Sequence, residues 1–276
     1  MYNGSWDLFN IHMNYIADDF HLHYLATYTL FVQSDFQKDH LVVLDEDKQV
    51  LVYMAYDNLS PSIEATKILS LPFQNVVVNL PHQGLVWVPS GVYHDTEKGL
   101  YVNYFVDTDA ERIFSKEIES LEVMALYQYD QLLYGRWKKL FPEARFVPNF
   151  EVVINQAQSN IPIQGKVLGV HIYDDQADIF LFVNGELRLY NTFEIATTDD
   201  LSYFVLNVFK NFSIKDKVQK ILLSGADDES EWFMRLSRYT ERIDTIKSKE
   251  KWTVSDADVV RRLEVLNVLT DSAACV

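Results

Sequence analysis

The sequence predicts an α/β protein made of two related subdomains, and three observations carry that prediction. The stretch from Val167 to Ser224 reads as three strands, a helix and a fourth strand. The stretch from Tyr28 to Leu80 repeats that order. Between them the polar run Asn155 to Gly165, NQAQSNIPIQG, suits a joint, which sets the expected subdomains at residues 1–154 and 155–276.

The second copy is the clearer one. Val167–Tyr173, Asp178–Val183 and Glu186–Phe193 are rich in β-branched, aromatic and leucine residues and are separated by short polar turns. Asn184-Gly185 suits a type I′ hairpin turn, whose two central residues both need positive φ. Leu201, Phe204, Val205, Val208, Phe209 and Phe212 recur at helical spacing and form one apolar stripe, with Thr198 or Asp199 as the expected cap. KILLSG, from Lys220, then reads as a strand covered on both faces. Further helices are expected over about 229–238 and 256–269.

In the first copy the expected strands are Tyr28–Gln33, His40–Leu44 and Gln49–Tyr56. The helix in SPSIEATKIL would start with Ser60 as cap and Pro61 at its first position. Asn75–Leu80, NVVVNL, is the counterpart of KILLSG. Strands are also expected over Leu85–Val88 and Val123–Tyr129, and helical structure over Thr96–Val106. Asp130 would cap QLLYGRWKKLF, which Pro142 stops. Trp137 falls on the apolar face of that helix and reads as core; Trp232 is left open between core and interface.

Composition narrows the function classes. The 276 residues include 24 Lys and Arg against 40 Asp and Glu, a formal charge of −16, and both halves are acidic. That balance repels phosphate and gives no footprint for nucleic acid or an anionic membrane. The single cysteine, Cys275, excludes an intrachain disulfide and a thiolate metal cluster and reads as an inert terminal thiol. No apolar run approaches a membrane span, and MYNGSWDLFN lacks the features of a signal peptide, so a cytoplasmic protein is expected.

Three stretches carry a resemblance: LPFQNVVVNLPHQGLVWVPSGVY, LFPEARFVPN and VLGVHIYDDQADIFLFVNGELRLYNTF. They resemble a family of uncharacterised proteins, mostly from Bacteroidetes, with an actin-like ATPase fold. Segments like the last also occur in the actin-like proteins of pilus assembly and type II secretion. The resemblance implies duplicated ribonuclease H-like subdomains, each a mixed sheet of β-β-β-α-β-α order with flanking helices. In the wider group ATP lies between the halves. Two hairpin turns of the form Asp-hydrophobic-Gly approach its phosphates, and a Gly-Gly turn passes the adenosine. Glycine lets backbone N–H groups approach phosphate, and aspartates hold Mg²⁺.

This sequence departs from those requirements. The first turn, in VQSDFQKDH, has no glycine, and its acids are Asp35 and Asp39. In the second, His171 stands where the aspartate is expected and Tyr173 where the glycine is expected. In the third, Ser224 and Gly225 fit, whereas Ala226 replaces the second glycine and Asp227, Asp228 and Glu229 follow. Ser224, Gly225 and Ala226 thus read as a vestigial adenosine turn. Asp174, Asp175 and Asp178 offer a candidate divalent-cation site, weighed against acids that merely solubilise a hairpin. His21 and His23, placed by alternation on one strand face, with His12 upstream, form a second metal candidate, but no HExxH or cysteine spacing supports it. The phosphate-binding loop GxxxxGK[ST] and the hydrolase elbow GxSxG are both missing from the sequence.

The function expected is therefore a non-catalytic actin-like scaffold or partner-binding protein that needs a protein partner and no cofactor. The alternative is a divergent ATP-binding protein or phosphotransferase, for which ATP and Mg²⁺ would be the cofactors. A nuclease on the ribonuclease H-like fold would need acids binding two metals and a basic substrate groove, and the acidic balance speaks against the groove.

Overall fold

A computed structural model describes residues 13–275. Strands β1 (Met13–Ile16), β2 (Thr29–Ser34), β3 (Lys38–Leu44) and β4 (Val50–Asp57) lead into helix α1 (Ile63–Leu69) and strand β5 (Asn75–Leu80). An insertion follows: β6 (His82–Pro89), a run of short 3₁₀ turns, β7 (Phe114–Ile118) and β8 (Val123–Tyr129). Helix α2 (Gln131–Leu140), strand β9 (Arg145–Pro148) and helix α3 (Asn149–Gln158) close the first half. The second half comprises β10 (Lys166–Tyr173), β11 (Gln176–Val183), β12 (Glu186–Glu194), α4 (Thr198–Asn211), β13 (Lys220–Ser224), α5 (Glu231–Leu236), β14 (Ile243–Thr245), α6 (Ala257–Val265) and α7 (Asn267–Asp271).

The two principal sheets have the same topology. One runs β4-β3-β2-β5-β9 with β1 added beyond β4, and the other runs β12-β11-β10-β13-β14. In each, the first three strands are antiparallel neighbours and the fourth and fifth run parallel to the first. This is the duplicated ribonuclease H-like arrangement expected from the strand order. The insertion forms a separate three-stranded antiparallel sheet, β6-β8-β7.

Local chemistry fixes most element ends. Asn184 and Gly185 both have positive φ, as the type I′ turn requires. Asp130 caps α2 by accepting the Leu132 and Leu133 N–H groups. Two caps differ from expectation. Ser62, not Ser60, caps α1 by accepting the Ala65 N–H, and Ser60 and Pro61 stay outside the helix. Thr197 caps α4 in a reciprocal box with Asp200, one residue before the expected position. The segment over 95–104 is helical but wound as 3₁₀. The start of the polar run at Asn155 belongs to α3, whose residues from Asn149 to Ile154 are buried.

The second sheet is covered on both faces. Leu168, Val170, Ile221 and Leu223 pack with Leu201, Val205 and Phe209 of α4. The opposite face, with Phe180, Phe182, Tyr190 and Leu222, joins the large core of the first half. Trp137 is 1% exposed and sits in that core, and Trp232 is partly buried against the smaller one. After β14 the chain returns to the first sheet. Val50 N–H donates to the Thr253 carbonyl at 2.8 Å, and Val259, Leu263, Val268 and Leu269 enter the first core.

Candidate functional site

In a duplicated sheet of this kind, ligands gather where the carboxyl ends of the central strands face each other. Here those ends carry the β2–β3 turn, the β10–β11 turn and the loop after β13.

The β2–β3 turn is shaped by Asp35, whose Oδ1 accepts the Gln37 N–H at 3.0 Å and the Lys38 N–H at 2.6 Å. Asp39, at the start of β3, is 2% exposed. It accepts from Ser34 Oγ at 2.6 Å and from Arg136 Nη2 of α2 at 2.6 Å. Arg136 also reaches the Asn58 carbonyl, and its guanidinium lies 4.7 Å over the Trp137 ring. Burial raises the Asp39 carboxyl, and Arg136 and Ser34 oppose that rise.

The β10–β11 turn meets it directly. Asp174, at φ 48°, turns the chain, and its Oδ2 accepts the Gln37 N–H at 3.1 Å. Gln37 Nε2 donates to Asp175 Oδ2 at 2.5 Å, and Lys38 Nζ lies 3.6 Å from Asp174 Oδ1. Asp35 is raised well above the usual carboxylate range, first by burial and then by its hydrogen bond to the Asp174 carboxyl. The two turns are thus clasped to each other by Gln37, Lys38, Asp174 and Asp175.

Asp178 does not join that clasp. It is fully buried on β11 and accepts hydroxyls from Tyr173 at 3.0 Å, Tyr190 at 2.8 Å and Thr192 at 2.6 Å. Tyr173 is 5% exposed, stacks against His171 and spends its hydroxyl on Asp178. Burial, then the Asp178 charge, push its phenol up. Thus Asp174 and Asp175 face Gln37 and Lys38, whereas Asp178 serves a hydroxyl cluster. Among the described residues no group of three or more His, Cys, Asp or Glu is placed to hold a metal ion. His21 and His23 are exposed at and within a 3₁₀ turn rather than on a strand, and His12 lies outside the described residues.

The third turn is closed by backbone. Gly225 has φ 77°, and a Cβ there would lie 2.0 Å from the Ile172 carbonyl oxygen. Both facts require glycine, for a reason internal to the fold. Ser224 is 1% exposed, with its Oγ 2.8 Å from His171 Nδ1 and 2.8 Å from Asn267 Nδ2. Burial lowers His171 to about 4, so the imidazole is neutral at neutral pH. Ala226 packs at the border of the second core. Asp227 holds the next turn by accepting the Glu229 N–H, and Ser230 caps α5 through the Phe233 N–H.

Behind Ser224 lies a polar seam that sequence reading missed. Asn267 Nδ2 donates to Gln156 Oε1 at 2.7 Å, and Gln156 Nε2 donates to Asp271 Oδ2 at 2.6 Å. Asp271 Oδ1 in turn accepts the Lys249 and Glu250 N–H groups. The seam ties α3 and α7 to the end of β13. Its only signal in the sequence was polar residues at buried helical positions, which periodicity alone does not separate from a solvated face.

Residues 17–243 match the family described as protein of unknown function (DUF3822). The chain belongs to that family. No curated protein matches the chain in sequence. Among solved structures it is similar to a protein with actin-like ATPase fold and unknown function from Bacteroides thetaiotaomicron, at 18% identity and a TM-score of 0.64, covering 82% of this chain and 93% of that one. It is also similar to the PilM-PilN type IV pilus biogenesis complex, at 10% identity and a TM-score of 0.58, over 90% and 97%. At these identities the likeness is one of fold, and it establishes the actin-like architecture for this family member. Among the described residues no helix is long and apolar enough to cross a membrane.

Proposed function

We propose that the chain is a non-catalytic actin-like protein that works by binding a protein partner. The observation that carries this reading is the clasp. Gln37 and Lys38 reach from one turn to Asp174 and Asp175 on the other, across the place where a nucleotide's phosphates would lie in such a fold. Tyr173 fills the position that glycine would leave open, and the Asp174 and Asp175 carboxylates of the clasp repel a polyphosphate. Gly225, the remaining trace of the adenosine turn, has a structural use of its own.

Partner binding is supported by the fold relative whose structure is a PilM-PilN complex. The reading takes residues 1–154 and 155–276 as the two subdomains, although α3 carries the first on to Gln158 and the chain after β14 packs back into the first core. It places the protein in the cytoplasm, where a lone cysteine at position 275 stays reduced. Calorimetric titration with Mg-ATP and Mg-ADP tests it: no heat of binding is expected, and micromolar affinity would overturn it.

A further inference from the structure

We infer that the rim of the first half beside the clasped turns docks a segment of another protein whose apolar side chains are flanked by lysine or arginine. This deepens the partner-binding reading and rests on it. Five large apolar side chains are exposed there: Leu59 at 92%, Leu132 at 85%, Val106 at 83%, Ile63 at 71% and Phe36 at 41%. They come from four separate parts of the chain, and hydrogen bonds join those parts. The Asn58 N–H donates to the Gln37 carbonyl at 2.8 Å, which sets Leu59 beside the turn that carries Phe36. Arg136 donates to the Asn58 carbonyl, and Leu132 lies one turn before Arg136 on the same face of α2. Gln131 donates to Asp107, and Gln128 Nε2 donates to the Asp107 carbonyl at 2.7 Å, which brings Val106 beside the start of α2. Ile63 opens α1, four residues after Leu59.

Single exposed apolar residues are ordinary, but several carried by segments that hydrogen bonds hold together on one rim mark an interaction surface. Charge selects the occupant. Arg136 is committed to Asp39, and Arg112 to Asp107 and Asp109. Asp57, Glu64, Glu111 and Asp130 each lie within five residues of a patch side chain in sequence, against Lys67 one turn further along α1 and Lys38, which pairs with Asp174. A second copy would bring another 16 net negative charges, and an anionic lipid surface would be repelled in the same way. A segment with basic residues around an apolar core complements both features.

The test is site-specific photo-crosslinking of the full chain in its own host cells. The variants are Leu59→benzoylphenylalanine, Val106→benzoylphenylalanine and Leu132→benzoylphenylalanine, with Tyr203→benzoylphenylalanine as control on the exposed face of α4. The expected result is one and the same partner segment from the three rim positions, bearing apolar residues bordered by lysine or arginine. Its yield at position 106 should fall at least fivefold when Leu132→Glu is added, with the melting temperature unchanged. Crosslinks to a second copy, to lipid, to an acidic segment or to nothing from the rim would overturn the inference. A partner captured from position 203 and not from the rim would overturn the surface while leaving partner binding standing. The nucleotide titration separately decides the broader reading.

Discussion

Gly225→Ala separates a glycine kept for the fold from one kept for a nucleotide. The residue sits at φ 77°, a conformation that costs an L-residue about 1–2 kcal/mol. The new methyl would also lie 2.0 Å from the Ile172 carbonyl oxygen, which is backbone and has no rotamer to give. Relieving that contact means shifting β13 or β10, an overpacking cost of about 1–3 kcal/mol. The sum is roughly 2–5 kcal/mol, and for a chain of this size each kcal/mol lowers the melting temperature by about 2–4 °C. Thermal unfolding of Gly225→Ala should therefore show a fall of roughly 4–20 °C with no nucleotide present. Ala226→Gly, which restores the glycine pair, should confer no binding of Mg-ATP. A Gly225→Ala protein melting within a degree of the parent would refute the reasoning, because the close approach to Ile172 would then have no energetic content.

Three further outcomes follow from the same geometry. Arg136→Ala leaves the Asp39 carboxyl buried without its cation and should cost about 3–5 kcal/mol in urea unfolding; Asp39→Asn in the same chain should recover part of that loss. His171 is neutral in the folded state down to about pH 4, whereas an unfolded imidazole takes a proton near 6.5. The unfolded chain binds the extra proton between those values, so stability falls as pH drops from about 6.5 towards 4, by roughly 3 kcal/mol from this group. His171→Gln should flatten that part of a melting-temperature profile against pH; an unchanged slope would contradict it. Asp178→Ala strands the buried hydroxyls of Tyr173 and Tyr190, whereas Thr192 keeps His82 as a partner; a loss of about 2–4 kcal/mol is expected, with no change in melting temperature when Mg²⁺, Mn²⁺ or Ca²⁺ is added to the parent.

The strand order was legible because its signals are local. Asn184-Gly185 announces its turn, the stripe from Leu201 to Phe212 announces its helix, and NVVVNL and KILLSG stand out as covered strands. The insertion was legible only in part. Strand β7, FSKEI, mixes charge with apolar residues on the edge of a small sheet, and β14 has three residues, too few for any period. Helix α3 was hidden because its polar residues Asn149, Glu151 and Gln156 are buried, Glu151 beside Lys116 and Gln156 against Asp271 and Asn267, partners distant in sequence. At the candidate site, Tyr173 and the glycine-free first turn could be read as obstacles to phosphate. The clasp could not, since Gln37 and Asp175 lie 138 residues apart and only the apposition of the two sheets joins them. The same distance effect concealed the rim patch, whose parts are brought together by Asn58 and Asp107.

Crystallising the protein in excess Mg-ATP decides whether the two turns stay closed on each other or admit a nucleotide. The Gln37 N–H should remain bonded to Asp174, with no nucleotide between the turns. Nucleotide bound there, with the clasp parted and its phosphates facing Tyr173, would contradict the proposed function.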